Sequence, residues 1–341
     1  MPSAADEISA AIAAAGGAIP FSEYMQLALY GQGGFYTTGG RAGRRGGDFI
    51  TSPEVGPLFG TVIARALDAW WKELGSPSRF DVVECGAGPG TLARSILASQ
   101  PECADAMHYV AVEISASQRA LHPKGVESRE TIPDGPITGV ILANELLDNL
   151  PFRLFVFDGS WMEAFVAQAS GGQFVEVLRA PDVIPSCLPQ TAPHGSRAPV
   201  QDAAASWVRD CLSKIDHGRL LLFDYCSTST PNFALTPWRE WLRTYRDQGR
   251  GIHYLMEPGS QDITTQVMLD QLPSGFNTST QADFLKHWGI NELVSEGTDY
   301  WESMKNEPDI AAMKMRSRST EMVSLIDNDG LGSFCVLNID A

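Results

Sequence analysis

Phe80-Asp81-Val82-Val83-Glu84-Cys85-Gly86-Ala87-Gly88-Pro89-Gly90-Thr91 decides how this chain is read. Apolar, β-branched residues run into an acid, three glycines follow at alternate positions, and residues 92–98 continue at helical spacing. The pattern predicts a strand, a tight turn and a helix N-terminus, where backbone N–H groups face a ligand and no side chain blocks its approach. The spacing is G-x-G-x-G, with Thr91 where the dinucleotide fingerprint needs its third glycine. Glu84 stands two residues before the first glycine; a carboxylate there repels a pyrophosphate but accepts hydrogen bonds from a ligand amino group. Glu84, Gly86, Gly88 and Gly90 therefore fit S-adenosylmethionine better than NAD. A glycine turn can also close a strand–helix connection with no ligand, so its context has to carry the rest.

Downstream, His108-Tyr109-Val110-Ala111-Val112-Glu113 predicts a second strand ending in an acid, about one βαβ unit on, where Glu113 suits a bidentate grip on ribose hydroxyls. Thr138-Gly139-Val140-Ile141-Leu142-Ala143 predicts a buried parallel strand that delivers Asn144-Glu145-Leu146-Leu147-Asp148-Asn149-Leu150-Pro151 to its carboxyl end. Ligands of open α/β sheets bind at such ends, so these polar residues are catalytic candidates by position. Gly218-Arg219-Leu220-Leu221-Leu222-Phe223-Asp224-Tyr225 is another buried strand ending in an acid, and a closing strand is expected over 332–338.

Upstream, Gly47-Asp48-Phe49-Ile50-Thr51-Ser52-Pro53-Glu54-Val55 is a polar turn feeding a helix over about 57–74, with Ser52 as an N-cap before Pro53. Ser22 is the expected N-cap of a helix over 23–30. Residues 31–47 read as a glycine-rich loop carrying Arg41, Arg44 and Arg45. An antiparallel hairpin with a D-G turn is expected over 152–166, and 226–260 is a long connection in which Trp238, Trp241 and Tyr245 share one face of a helix. Helices are expected over 202–215, 262–272, 281–288 and 301–324. Strands alternating with helices imply a doubly wound, mostly parallel sheet.

A net charge of −16 argues against tight binding to nucleic acid or to anionic membrane, since neutralising phosphates takes Lys and Arg. Hydrophobic content of 44% with 19% charged residues describes a globular chain with a sizeable core. Six scattered cysteines without a C-x-x-C pair suggest reduced thiols, with neither a disulfide framework nor a metal site. The Ala-rich N-terminus has no secretory or transit character, and no run approaches a membrane span, so a cytoplasmic protein is expected.

The G-D-F-I-T-S-P-E-V, V-E-C-G-A-G-P-G-T-L and A-N-E-L-L-D-N-L-P strings, followed by Phe223-Asp224-Tyr225, Asp262-Ile263-Thr264 and Thr280-Gln281-Ala282-Asp283-Phe284-Leu285, come in the order that resembles the MidA family. That family comprises S-adenosylmethionine-dependent methyltransferases related to a mitochondrial complex I assembly factor. The resemblance covers about residues 19–337. It implies an α/β fold with the Rossmann-like, seven-stranded, mostly parallel class I methyltransferase sheet and an antiparallel last strand pair. An N-terminal helical extension over 1–75 would cover the cofactor site, and the methyltransferase domain over 76–341 would carry a hairpin insertion at about 152–180 and a loop insertion at about 226–260. Cys85, Pro89 and Cys226 depart from the family's usual Leu, Arg and Gly.

The resemblance also implies methyl transfer to a protein side chain, with arginine as acceptor. A guanidinium will not deprotonate freely and must be held and polarised, a task for closely placed carboxylates. Glu145 and Asp148, three apart after a strand end, are the catalytic candidates; Asp148 would alternatively only orient the turn, with Asn144 and Glu145 touching ligand. Glu84, Gly86, Gly88, Gly90, Glu113, Asn144, Thr51 and Ser52 are the cofactor candidates; Thr51 and Ser52 with Asp48 read either as a lid over the cofactor or as a structural corner. Asp224 and Asp262 are read as loop-organising. The rival readings are a non-catalytic assembly protein that keeps the cofactor fold and a small-molecule methyltransferase.

Overall fold

The computed structural model describes residues 2–38, 51–246 and 249–341. The arginines at 41, 44 and 45, and Gly47 to Ile50 with Asp48, lie outside the described residues. Seven strands form the central sheet: β1 (Phe80–Cys85), β2 (Met107–Val112), β3 (Glu127–Arg129), β4 (Ile137–Asn144), β5 (Ile215–Asp224), β6 (Asn277–Thr280) and β7 (Cys335–Asp340). Their order is β6-β7-β5-β4-β1-β2-β3. β1 to β5 run parallel, and β7 lies antiparallel to both β5 and β6. Chain order reverses between β1 and β4, which opens the crevice at their carboxyl ends.

The middle strands are apolar on both faces because both are covered. Val82, Val140 and Phe223 pack with Phe59, Val62 and Trp70 of the helix Pro57–Glu73. Val83, Ile141 and Leu222 point the other way, toward Val208 and Cys211 of the helix Asp202–Lys214. A second, antiparallel sheet joins Ala18–Pro20, Trp161–Gln168, Arg153–Phe157 and Arg197–Val200, with Phe174–Arg179 paired to Trp161–Gln168. Ile8, Phe21 and Tyr24 of the N-terminal helices share one core with Phe152, Leu154 and Val166 of this sheet and with Trp241 and Tyr254. The N-terminal segment, the hairpin and the 226–260 connection thus bury their apolar faces against one another.

Several local expectations fail. Residues 262–272 form two short strands, Asp262–Thr264 and Val267–Met268, and a 3₁₀ turn instead of a helix, because Asp262–Thr264 pairs with Arg243–Arg246. Trp238, Trp241 and Tyr245 share no helix: Trp238–Glu240 is one 3₁₀ turn, Tyr245 sits in the strand Arg243–Arg246, and Trp241 is buried between them. The span 301–324 is split between the helices Ile290–Met304 and Ile310–Leu325, with Pro308 in the break. Ser22 lies inside its helix, which starts at Phe21 behind Pro20. The N-cap before Pro53 is Thr51, and Ser52 is the first helical residue of Ser52–Val55. Among the described residues, no helix is long and apolar enough to cross a membrane.

β4 and β5 meet at a glycine pair in register, Gly139 and Gly218, beside a register shift between Ile215 and His217. Their φ values are +149° and +146°, and a Cβ on Gly218 would stand 1.8 Å from the Gly139 carbonyl oxygen. A Cβ on Gly139 would stand 2.0 Å from the Asp81 carbonyl oxygen. Backbone faces backbone on both sides, so no side chain can give way. Gly139→Ala is expected to cost about 3 kcal/mol, against about 1 kcal/mol for Gly159→Ala, whose Cβ would meet nothing within 4 Å. Urea midpoints of the two variants, compared at unchanged m, check this ordering.

Candidate active site

A cavity of about 380 Å³ opens at the carboxyl ends of β1, β2 and β4. The turn after β1 is fastened by the amides of Gly86 and Ala87, which both donate to the Val112 carbonyl at 2.9 and 3.0 Å. Gly88 has φ +52° and no atom within 4 Å of an added Cβ, so the space beyond it is the cavity itself. Gly86 and Gly88 line that space. Gly90 does not: it takes the left-handed conformation at the N-cap of the helix Thr91–Ala98. Thr91 supplies a hydroxyl that a third glycine would lack, and it donates to Glu54 Oε1 at 2.8 Å. That bond ties the turn to the Ser52–Val55 segment.

Glu84 is buried at the end of β1, lines the cavity, and accepts from the Tyr109 hydroxyl at 2.7 Å. Burial pushes its carboxyl up to about 7, against the opposing pull of the Tyr109 bond. Glu113 bridges two loops, with Oε2 accepting from the Gly88 amide at 2.9 Å and Oε1 from the Ser115 amide at 2.8 Å. It too faces the cavity, and a carboxylate with two bonds retains acceptor capacity for two more.

β4 ends in Asn144 and Glu145, both lining the cavity. Glu145 has φ +52°, a backbone conformation costly for a residue with a Cβ. It is held there by its amide, which donates to the Phe223 carbonyl at 2.8 Å. The Asn144 amide donates to Glu145 Oε1 at 2.9 Å, and the Ser52 backbone N–H also reaches this carboxylate. Ser52 turns its own hydroxyl away, to Gln281 Oε1 at 2.8 Å, while Thr51 lines the cavity. Ser52 therefore contributes a backbone donor to the site and no side chain.

Glu145 also lines a second cavity of about 230 Å³, shared with Asp148, Tyr225, Trp241, Arg243 and Thr265 among others. Asp148 is on this side only. Thr264 Oγ1 donates to its Oδ2 at 2.5 Å, and its Oδ1 has no partner among the described residues. Burial, with Asp148 adjacent, pushes the Glu145 carboxyl up to about 8; burial and Asp224 push Asp148 well above the usual carboxylate range. Asp224 organises the loop between them: Oδ2 accepts from the amides of Leu147 and Asp148 at 2.9 and 3.4 Å, and Oδ1 from Tyr225 at 2.8 Å. Asp262 accepts from the Tyr36 hydroxyl at 3.0 Å and the Asn149 amide at 3.1 Å.

The N-terminal segment contributes lining residues that sequence reasoning missed. Gln26, Tyr30 and Tyr36 enter the larger cavity, the two tyrosine rings stacked at 5.4 Å. The signal available was the aromatic pair flanking Gly31-Gln32-Gly33-Gly34, obscured by the glycines around it. Gln118 is also there, 7% exposed with an unpartnered Oε1, on a four-residue helix whose sequence carries no warning.

Comparison with known proteins fits this geometry. The sequence profile of the Methyltransf_28 family, S-adenosyl-L-methionine-dependent methyltransferases, matches residues 62–286. The protein arginine methyltransferase NDUFAF7 homolog, mitochondrial, of Drosophila melanogaster is 29% identical over 298 residues, 74% of this chain. That alignment spans 65% of the fly protein's length. The zebrafish (Danio rerio) protein arginine methyltransferase NDUFAF7, mitochondrial, is 28% identical across 94% of this chain and 84% of its own. A crystal structure of a COG1565 superfamily member from Burkholderia thailandensis, bound to S-adenosyl-homocysteine, superposes with a TM-score of 0.84 at 26% identity, covering 99% of this chain and 92% of that one. The open space at Gly88 and the unpartnered polar atoms of Gln118 and Asn144 suit a polar nucleoside at this position. With well over half its length inside the family profile, the chain belongs to the Methyltransf_28 family of methyltransferases, and its cofactor is S-adenosyl-L-methionine.

Proposed function

We propose that this chain transfers a methyl group to an arginine side chain of a protein, with Glu145 and Asp148 holding the guanidinium. The observation that carries this reading is the position of Glu145, whose side chain borders both cavities, with Asp148 facing only the second. The names of the fly and zebrafish relatives support the arginine assignment.

The cofactor supplies an electrophilic methyl on a sulfonium. In the first cavity Gly86 and Gly88 would leave its amino-acid end room against the backbone, Glu84 would hold its ammonium and Glu113 its ribose hydroxyls. Asn144 and Thr51 line the same space. Methyl transfer needs an acceptor lone pair in line with the breaking bond and water kept out. A guanidinium delocalises that lone pair, and carboxylates on its other nitrogens localise charge away from the attacking one. Asp148 is buried and Glu145 partly so, and two neighbouring acids withdrawn from water ionise together only with a counter-cation, which an incoming guanidinium supplies. The surplus proton of the methylated product then has a carboxylate beside it.

Two outcomes are expected. S-adenosylhomocysteine binds the purified protein in a calorimetric titration and NAD does not, and Gly88→Arg, which fills the open space at the turn, loses the binding while keeping the fold by circular dichroism. The ionised acid is the active form, so kcat/KM for an arginine peptide is lost below the free-protein carboxyl value and rises with pH to a plateau above about 8. Glu145→Gln should abolish that rise and lower kcat by about 10²–10³. A flat wild-type profile, or full activity in Glu145→Gln, would sink the assignment of Glu145.

A further inference from the structure

Three of the residues that line the second cavity carry a buried polar atom with no hydrogen-bond partner among the described residues: Asp148 Oδ1, Thr265 Oγ1 and Trp241 Nε1. Asp148 is 7%, Thr265 3% and Trp241 1% exposed, so their partners must come from within the fold or from what fills the cavity. They differ in kind. Asp148 Oδ1 accepts, the indole N–H only donates, and the threonine hydroxyl does either. Arg243 lines the same cavity, its Nε committed to the Glu240 carbonyl at 2.7 Å while neither Nη meets an acceptor among the described residues. The cavity therefore has two polarities, with acceptors at Glu145 and Asp148 and donors at Trp241 and Arg243.

An arginine acceptor alone explains half of this. Its guanidinium consumes the acceptors and leaves the indole N–H unsatisfied, and it meets a like charge in Arg243, which repels any cation that brings nothing to offset it. A carboxylate on the ligand satisfies both donors at once, since its two oxygens accept one bond from the indole and a charge-assisted bond from the guanidinium. Tyr225 and Trp241 give the stretch between the two charges an apolar wall.

Resting on the arginine reading above, we infer that the second cavity recognises an arginine together with a carboxylate on the same peptide, an aspartate or glutamate beside it in sequence, and that Arg243 and Trp241 are the residues that read this carboxylate. Arg243 is a specificity residue and takes no part in the methyl transfer. In a chain of net charge −16, an arginine whose Nη groups meet no acceptor among the described residues also excludes polyamines and lysine-rich segments that the overall field would otherwise draw in.

The test is peptide binding to protein saturated with S-adenosylhomocysteine, so that no turnover is required, followed calorimetrically. The probes are acetyl-Gly-Asp-Arg-Gly-amide, its Asn counterpart and free L-arginine. The Asp peptide is expected to bind about tenfold tighter than the Asn peptide, the size of one partly exposed charge-assisted hydrogen bond. Arg243→Gln should erase that preference, weakening the Asp peptide and tightening the Asn peptide, while leaving affinity for S-adenosylhomocysteine, which occupies the other cavity, within about twofold. Equal affinities for the Asp and Asn peptides in the wild type overturn the role given to Arg243 and leave the arginine reading standing. Free arginine bound more tightly than the Asp peptide assigns the donors to an α-carboxylate and overturns the acidic neighbour. Neither peptide nor arginine bound, with S-adenosylhomocysteine bound normally, overturns the arginine reading and this inference with it.

Discussion

The carboxylate of Asp224, 1% exposed at the end of β5, is the constraint on which the site depends. It takes three backbone N–H groups, from Leu147, Asp148 and Tyr225, that belong to loops leaving two neighbouring strands. Those loops carry Glu145 and Asp148 on one side and Tyr225 on the other. Remove the acid and three donors are orphaned in the interior, each costing about 1–3 kcal/mol. The strained backbone of Glu145 persists because this clamp and the Phe223 carbonyl fix its neighbours. Strain here sets the direction of one side chain at the boundary of two cavities.

A second dependence runs through the cover of the site. Gln26, Tyr30 and Tyr36 come from the N-terminal segment, Trp241 and Arg243 from the 226–260 connection, and both segments pack on the antiparallel sheet. None of these pieces has enough apolar area to fold alone, yet Phe21, Phe152, Tyr254 and Trp241 close a common core. The first and second cavities are consequently walled by the same secondary core. Tyr36 donating to Asp262, and Asn149 donating to the same carboxylate, link that cover to the loop after β4.

The central sheet was legible because its strands are buried on both faces: Val82-Val83, Tyr109 to Val112, Val140 to Ala143 and Leu220 to Phe223 are unbroken buried runs, each followed directly by an acid or an amide. That same rule placed Glu84, Glu113, Asn144 and Glu145 at strand ends, which is where they stand. The cover was not legible. Asp262–Thr264 is a strand only because Arg243–Arg246 offers it a partner, and no local periodicity reports a pairing between segments so distant in sequence. Ser52 was chosen for its side chain as a cap and serves through its backbone N–H, a distinction invisible in residue type. Asp148 reads in the sequence as either a turn organiser or a ligand-facing acid; it accepts from Thr264 with one oxygen, and the residue lines the second cavity. Arg243 drew no notice because a lone arginine in a long connection resembles every solvated one.

The proton inventory of the buried acids connects stability with substrate charge. Glu145 and Asp224 each hold a folded-state value of about 8, above ordinary values of 4.5 and 3.8. Between those limits the folded chain binds more protons than the unfolded chain, so stability declines as pH rises through that interval. At neutral pH the ligand-free site is thus a liability, tolerated because Asp224 is bonded to three amides and Glu145 to Asn144 and the Ser52 backbone. A cation entering beside Glu145 and Asp148 reverses the sign, since it favours the ionised carboxylates that burial opposes. Binding energy is then spent on ionising the acids, the form that can polarise a guanidinium. A neutral acceptor would bring no such compensation. On the arginine reading proposed above, the burial that raises the Glu145 and Asp148 carboxyls is what favours a cationic acceptor.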